Sequence, residues 1–207
     1  LILDAFREDP EANRLGTPSG KIELYSEDIA SFNYADCPGH PVWLNKQESL
    51  CSERANKYPL HLVSNQPRNK LHSQLDFAKP SMSNKVANRE PERLNPKDAE
   101  ARGISNGDVI RLCNDRGACL ASAELSDELM EGIIQLSTGA WFDPMQLKDH
   151  PDLDLSGNPN VLTIDIGTSS LAQGPSSHSC LVDVERYMGP DIAPRTHQLP
   201  ALENTSA

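Results

Sequence analysis

Short runs of alternating apolar and polar positions, broken by Gly, Asn and Pro, run through residues 58–186. YPLHLVSNQ sets Leu60, Leu62 and Val63 in a strand that ends in polar Ser64, Asn65 and Gln66. NPKDAEARG reads as a short helix. Asn95 supplies the N-cap, Pro96 fits the first helical position, Asp98 and Glu100 fall in the first turns, and Gly103 closes it. Asn106-Gly107 is a tight-turn signal feeding the strand DVIRLCN. The turn NDRG then reverses the chain into ACLASAEL, and GIIQLS follows the acidic turn SDELMEG. Strands this short, with turns roughly every eight to twelve residues, predict a small β-barrel or sandwich with one helix inserted early.

The flanks differ. In residues 1–57, Pro18–Gly20 turn the chain into a predicted short strand over 21–25, and a Pro- and Cys-bearing loop, CPGHPVW, follows. Little there can form its own core, so this zone reads as the end of a preceding domain and its connecting segment. Residues 187–207 are Pro-rich and read as a tail that orders on contact or frays. The opening LILDAFREDPEANRL reads as a continuation, which makes the chain the C-terminal piece of a longer protein, with no signal peptide or membrane-spanning apolar run.

Composition narrows the function classes. Among 207 residues, 37% are hydrophobic, 5% aromatic and 16 are proline, which implies much irregular chain. A formal charge of −11 argues against nucleic acid or an anionic membrane as the main partner. Cys37, Cys51, Cys113, Cys119 and Cys180 show no CxxC spacing and are odd in number, so free thiols are expected, neither disulfides nor a zinc site. Cys113 and Cys119 flank a turn, which leaves a cross-strand contact open.

The stretch NPNVLTIDIGTSSLAQGPSSHSC carries the candidate chemistry. It is rich in amides, hydroxyls and glycines, Asp165 is its one ionised group, and apolar residues frame it on both sides. Such a surface suits a large polar heterocycle, met by side-chain amides and backbone N–H groups. The bland alternative is a Ser/Thr/Gly-rich loop: Asn158-Pro159 starts a turn, Thr168 and Ser169 cap locally, and Gln173 lies on the surface. Earlier in the chain, Ser64, Gln66 and Arg68 follow a strand end, where ligand-contacting groups commonly sit. Arg68, in a locally basic run with Lys70, can pair a pyrophosphate bidentately or be a solvated charge. His72, Ser73 and Gln74 form a hydrogen-bonding run between Leu71 and Leu75, and a structural histidine is the alternative. Trp141 and Phe142 in GAWFDP read as core or interface. Asp143, Asp149 and His150 lack the spacing of a metal site and read as loop, and the acidic run DLDL reads as a solvated face. No nucleophile elbow, P-loop or Rossmann turn is present.

The succession TPSGKIELYSE, DCPGHPVW, SNQPRNKLHSQ, VANREPERLNPKDAEARGISNGDVIRLCNDRG, GAWFDP and NPNVLTIDIGTSSLAQG resembles the C-terminal region of the molybdopterin oxidoreductases. The match is to the dimethyl sulfoxide, trimethylamine N-oxide and biotin sulfoxide reductase branch. The resemblance implies a mainly β fold with short helices, a six-stranded double-psi β-barrel of the aspartate-decarboxylase-like kind over 58–186. Residues 1–57 would end the preceding catalytic domain, and 187–207 would form the tail. It implies a bis(molybdopterin guanine dinucleotide) cofactor on molybdenum, with the metal-ligating serine and all catalytic groups outside this chain. The cofactor-binding positions it implies are Ser64, Gln66, Arg68, His72, Ser73, Gln74, Asn158, Asn160, Gly167, Thr168, Ser169 and Gln173. His178 receives no role.

For the whole protein, the resemblance implies oxygen-atom transfer from an N-oxide or S-oxide. The expected substrates are trimethylamine N-oxide, dimethyl sulfoxide, or biotin or methionine sulfoxide. Electrons would come from a cytochrome-type donor, in the periplasm or alternatively the cytoplasm. The expected partners are the N-terminal portion of the same enzyme and this small substrate. Two alternatives stay open: a standalone barrel binding a nucleotide-like ligand or protein partner without catalysis, and the formate dehydrogenase and nitrate reductase branch.

Overall fold

A computed structural model describes residues 3–147, 150–176 and 178–198. These residues divide into two compact units, one within Leu1–Asn45 and Ile166–Pro175, the other within Lys46–Asp165 and Ser176–Ala207. The division thus falls at 45/46 instead of the expected 57/58, and residues 166–175 group with the smaller unit instead of the barrel.

The larger unit is built on eight strands: β1 Leu60–Val63, β2 Pro91–Leu94, β3 Val109–Cys113, β4 Ala118–Leu125, β5 Ile133–Leu136, β6 Pro144–Leu147, β7 His150–Asp154 and β8 Leu181–Arg186. Six of them run β2-β5-β1-β8-β3-β4, and β4 pairs again with β2, so the sheet closes into a barrel. Two pairings, β1 with β5 and β2 with β4, are parallel; the other four in the barrel are antiparallel. Closure removes the open edges that would otherwise pair with other chains.

Alternation sets the core. Leu60 and Leu62, Ile110 and Leu112, and Ile134 and Leu136 are fully buried, while their strand neighbours are only half-buried. These side chains, with Leu94, Cys119, Ala121, Ala123, Val182 and Val184, fill the barrel. Each buried Leu or Ile contributes about 1.5–3 kcal/mol relative to exposure. β4 differs because it is covered on both faces: Ala118 and Leu120 pack with Leu153 and Leu155 of the β6–β7 hairpin region. That double cover explains why ACLASA reads as nearly continuous small apolar sequence.

The predicted local signals for β1, β3, β4 and β5 hold. Asn95 Oδ1 accepts from the Lys97 N–H at the start of the helix Pro96–Glu100, and Gly103 follows with φ 63°. Asn114 N–H donates to Gly117 O at 3.0 Å, closing the β3–β4 turn. All five cysteines are free, and Cys113 pairs across the hairpin with Ala118, not Cys119.

Two expectations fail. Residues 21–25 form no strand: Ile22, Leu24 and Tyr25 stay more than half exposed, and no strand among the described residues pairs with them. DLDL is no solvated face, since Leu153, Asp154 and Leu155 are fully buried beside β4. Among the described residues, no helix is long and apolar enough to cross a membrane.

Candidate functional site

Three loops leave the ends of strands β1, β5 and β7 and meet around one cavity. His72, Ser73, Thr138, Gly139, Ala140, Trp141, Phe142, Asn158 and Asn160 line it, and its volume is about 440 Å³. No Asp, Glu, Lys or Arg is among them. The lining is amide, hydroxyl and aromatic.

The loop after β1 is tightly folded. Gln66 braces it from within, its Nε2 donating to Lys70 O and its Oε1 accepting from the His72 N–H. His72 and Leu75 take left-handed backbone conformations, with φ 50° and 66°. The loop after β5 presses on it so closely that a Cβ on Gly139 would lie 1.8 Å from His72 O. Only glycine fits there, and its φ of 98° independently demands it. Trp141 Nε1 donates to Ser73 O at 2.7 Å, joining the loops a second time.

Each side of the cavity rests on a buried carboxylate. Asp76 lies under the His72–Trp141 side. Its Oδ1 accepts from Lys70 at 2.8 Å and pairs ionically with Lys85 at 3.1 Å, and its Oδ2 accepts from His197 Nε2 and the Trp141 N–H at 2.8 and 3.2 Å. Both lysines also reach Glu90. Burial alone would push the Asp76 carboxyl up. The Lys70 hydrogen bond, the Lys85 charge and the His197 bond outweigh it and hold the group well below the usual carboxylate range.

Asp154 lies under the Asn158 side and, among the described residues, has no cation as a hydrogen-bond partner. Its Oδ2 accepts from the N–H groups of Ser156, Gly157 and Asn158, and its Oδ1 from that of Asp143. Burial dominates here and raises its pKa, with the backbone donors, Asn158 first, pulling it part of the way back. This fan of bonds shapes the 154–158 turn. It presents Asn158, whose Oδ1 caps the short 3-10 turn Pro159–Val161 by accepting from the Asn160 N–H.

The expected site residues fall into three groups. His72, Ser73, Asn158 and Asn160 meet at the cavity. Gln66, Arg68 and Gln74 lie on the same loop, exposed, and Ser64 is buried at the end of β1 with its Oγ lacking a hydrogen-bond partner among the described residues. Gly167, Thr168, Ser169 and Gln173 belong to the other compact unit, in a turn that bonds to itself. There Thr168 Oγ1 donates to Ala172 O, Ser169 Oγ accepts from the Ala172 N–H, and Gln173 Nε2 donates to Ser169 O.

Several readings need correction. Lys70 is not part of an exposed basic run; it is buried against Asp76 and Glu90. Trp141 and Phe142 are not core: Trp141 is half-buried, Phe142 is 56% exposed, and both face the cavity. Nothing in GAWFDP separates a core-facing from a cavity-facing pair of rings, so the sequence carries no signal for them. Asp143 is buried and paired with Arg195 at 2.9 Å, while Asp149 and the His150 side chain lie outside the described residues. Among the described residues, no group of three His, Cys, Asp or Glu side chains could hold a metal ion.

Comparison with known proteins gives this geometry its context. Residues 60–181 match the family model described as "Molydopterin dinucleotide binding domain". The chain is 47% identical over 195 residues to dimethyl sulfoxide/trimethylamine N-oxide reductase of Cereibacter sphaeroides, across 94% of this chain and 24% of that protein. It is 52% identical over 187 residues to trimethylamine-N-oxide reductase 1 of Escherichia coli K12, across 89% and 22%. Biotin sulfoxide reductase of Cereibacter sphaeroides is 48% identical over 187 residues, across 90% and 24%. Acetylene hydratase from Pelobacter acetylenicus shares the fold, with a TM-score of 0.62 at 21% identity, across 86% of this chain and 25% of that one. The chain thus spans about a quarter of the length of the curated relatives it matches. With the family model covering more than half of its length, this chain belongs to the molybdopterin dinucleotide-binding domain family.

Proposed function

We propose that this chain is the dinucleotide-holding part of a molybdenum oxidoreductase that reduces N-oxides or S-oxides, such as trimethylamine N-oxide, dimethyl sulfoxide, or biotin or methionine sulfoxide. The observation that carries the reading is the uncharged cavity, in which His72 and Ser73 of one motif meet Asn158 and Asn160 of another beside Trp141 and Phe142. A space of this size holds one heterocycle, and its amides can both donate to and accept from a pterin or guanine edge. The residues present therefore fit the group. With no cation in the lining, the phosphates fall to exposed Arg68 and to backbone N–H groups of the adjoining loops. Gly167, Thr168, Ser169 and Gln173 are the proposed contacts of the second compact unit.

When bound, bis(molybdopterin guanine dinucleotide) and its molybdenum supply the oxygen-atom transfer chemistry. This chain's residues bind, orient and desolvate, and transfer no proton. The barrel is proposed to be of the double-psi kind, in line with its two parallel and four antiparallel pairings. The partners proposed are the rest of the polypeptide and a cytochrome-type electron donor, with the periplasm as compartment.

The test is molybdenum and guanine content per chain of the full-length protein. Both are expected to be near stoichiometric in wild type and lowered in His72→Ala and Gln173→Ala. Unchanged loading in both variants removes these residues from the site, and a wild type free of pterin ends the reading.

A further inference from the structure

Residues 187–198 hold no regular secondary structure, yet they are fastened at successive points along the larger unit. The Tyr187 N–H donates to Val109 O at 2.9 Å, and Tyr187 and Ile192 pack on the Leu120–Leu153–Leu155 cluster. Arg89 donates to Ile192 O. Arg195 grips Asp143 with its backbone N–H and its guanidinium, which also reaches Pro144 O at 2.9 Å. The last fastening is His197. Its Nε2 lies 2.8 Å from Asp76 Oδ2, and its ring packs tilted against the Trp141 indole with centroids 5.5 Å apart. Because an ionised carboxylate only accepts, the hydrogen on this bond belongs to His197 Nε2.

Asp76 Oδ2 is shared between His197 and the backbone N–H of Trp141, the residue whose ring lines the cavity. Neither Asp76 nor His197 lines the cavity itself. We infer that the 187–198 segment is a strap that sets the cavity wall from behind, with His197 the positioning residue that holds Asp76 and the Trp141 indole in register for the bound pterin dinucleotide. The inference rests on the proposed function and adds a residue to it that touches no ligand. Removing the imidazole takes away one of the two rings packed on the indole, leaving Phe77, and frees one acceptor site on Asp76. The barrel is untouched, and Lys70 and Lys85 still neutralise the carboxylate.

The experiment uses the full-length protein and follows the first-order release of pterin by the fluorescence of the liberated, oxidised pterin, alongside the melting midpoint of the cofactor-free protein. His197→Ala is expected to speed release about tenfold, the effect of one lost charge-assisted hydrogen bond, and to lower the midpoint by a few degrees, which His197→Gln restores. His197→Gln, whose Nε2 can donate to Asp76 in the same way, is expected to restore release to within about threefold of wild type. Wild-type release in His197→Ala overturns the inference. So does fast release in both variants with a lowered midpoint, because that marks a general packing role. A wild-type protein without pterin sinks this inference together with the reading it rests on, whereas pterin-loaded wild type with unchanged release in His197→Ala sinks this one alone.

Discussion

The two sides of the cavity are held by the same chemical group in opposite surroundings. Under the His72–Trp141 side, the Asp76 carboxylate meets two lysines and an imidazole, so its charge is compensated and its pKa falls. Under the Asn158 side, the described partners of Asp154 are N–H dipoles and a hydroxyl, so burial wins and its pKa rises. Donors of either kind can order a loop. Here the full charges around Asp76 outweigh its desolvation, whereas the dipoles around Asp154 offset only part of it.

The largest expected effect is on the charged side. Asp76→Ala leaves Lys70 and Lys85 sharing Glu90 alone and should cost about 4 kcal/mol of unfolding free energy, read by denaturant titration. A loss under about 1 kcal/mol would mean that Glu90 alone satisfies both lysines.

Glu92 sharpens the contrast as a third case. It projects into the barrel beside Leu94, fully buried, with both oxygens unpartnered among the described residues, and burial pushes its pKa up to about 8. A raised carboxyl pKa means that stability is fullest below the unfolded value and is lost as pH rises through the folded one. Glu92→Gln should therefore be more stable than wild type by about 3 kcal/mol at pH 7, with the gap closing towards pH 4.5. A gap that does not change with pH would show that the carboxyl is ionised in the fold.

Gly139→Ala tests the seam between the loops. The added methyl meets the His72 carbonyl in a backbone conformation that favours glycine, so a cost of about 2–3 kcal/mol and a fall in pterin content are expected. An alanine variant with normal pterin loading would mean that the His72 loop yields freely.

The smallest effect is expected on the amide-braced side. Asp154→Asn turns an NH2 towards backbone donors and should cost about 2 kcal/mol. The pH dependences of the two sides should run in opposite directions. Asp76, with its lowered pKa, contributes stability above about pH 4 that is lost in acid, so the gap between wild type and Asp76→Asn shrinks below that pH. Asp154, with its raised pKa, has its most favourable contribution below about pH 4 and loses it as pH rises. The gap between wild type and Asp154→Asn thus narrows upward. Parallel slopes in the two variants would erase the distinction between cation and dipole bracing.

Much of the barrel was legible because its signals are local. Alternation marked β1, β3 and β5, Asn95-Pro96 marked a helix start, and Asn106-Gly107 and NDRG marked turns. β2 was not legible: PERL opens on a residue with no N–H and carries two charges, and it is a strand because β4 and β5 flank it. HPDLD likewise looks solvated until it is laid against β4. Half of the candidate site was legible as well, since LHSQ and NPN stand out by composition. The aromatic part of the cavity was not, because Trp and Phe in a loop sequence look the same whether they face a core or a cavity.

By itself the sequence determined the strands β1, β3, β4 and β5, the turns that join them, the polar uncharged character of two motifs and the resemblance that names the family. The tertiary structure alone decided which of those motifs face each other, that Lys70 is an internal counter-ion, and that His197 reaches Asp76 across more than a hundred residues of chain. The reason is physical. Turn chemistry and alternation act over a few residues, whereas the state of a buried charge depends on what closure of the barrel brings beside it.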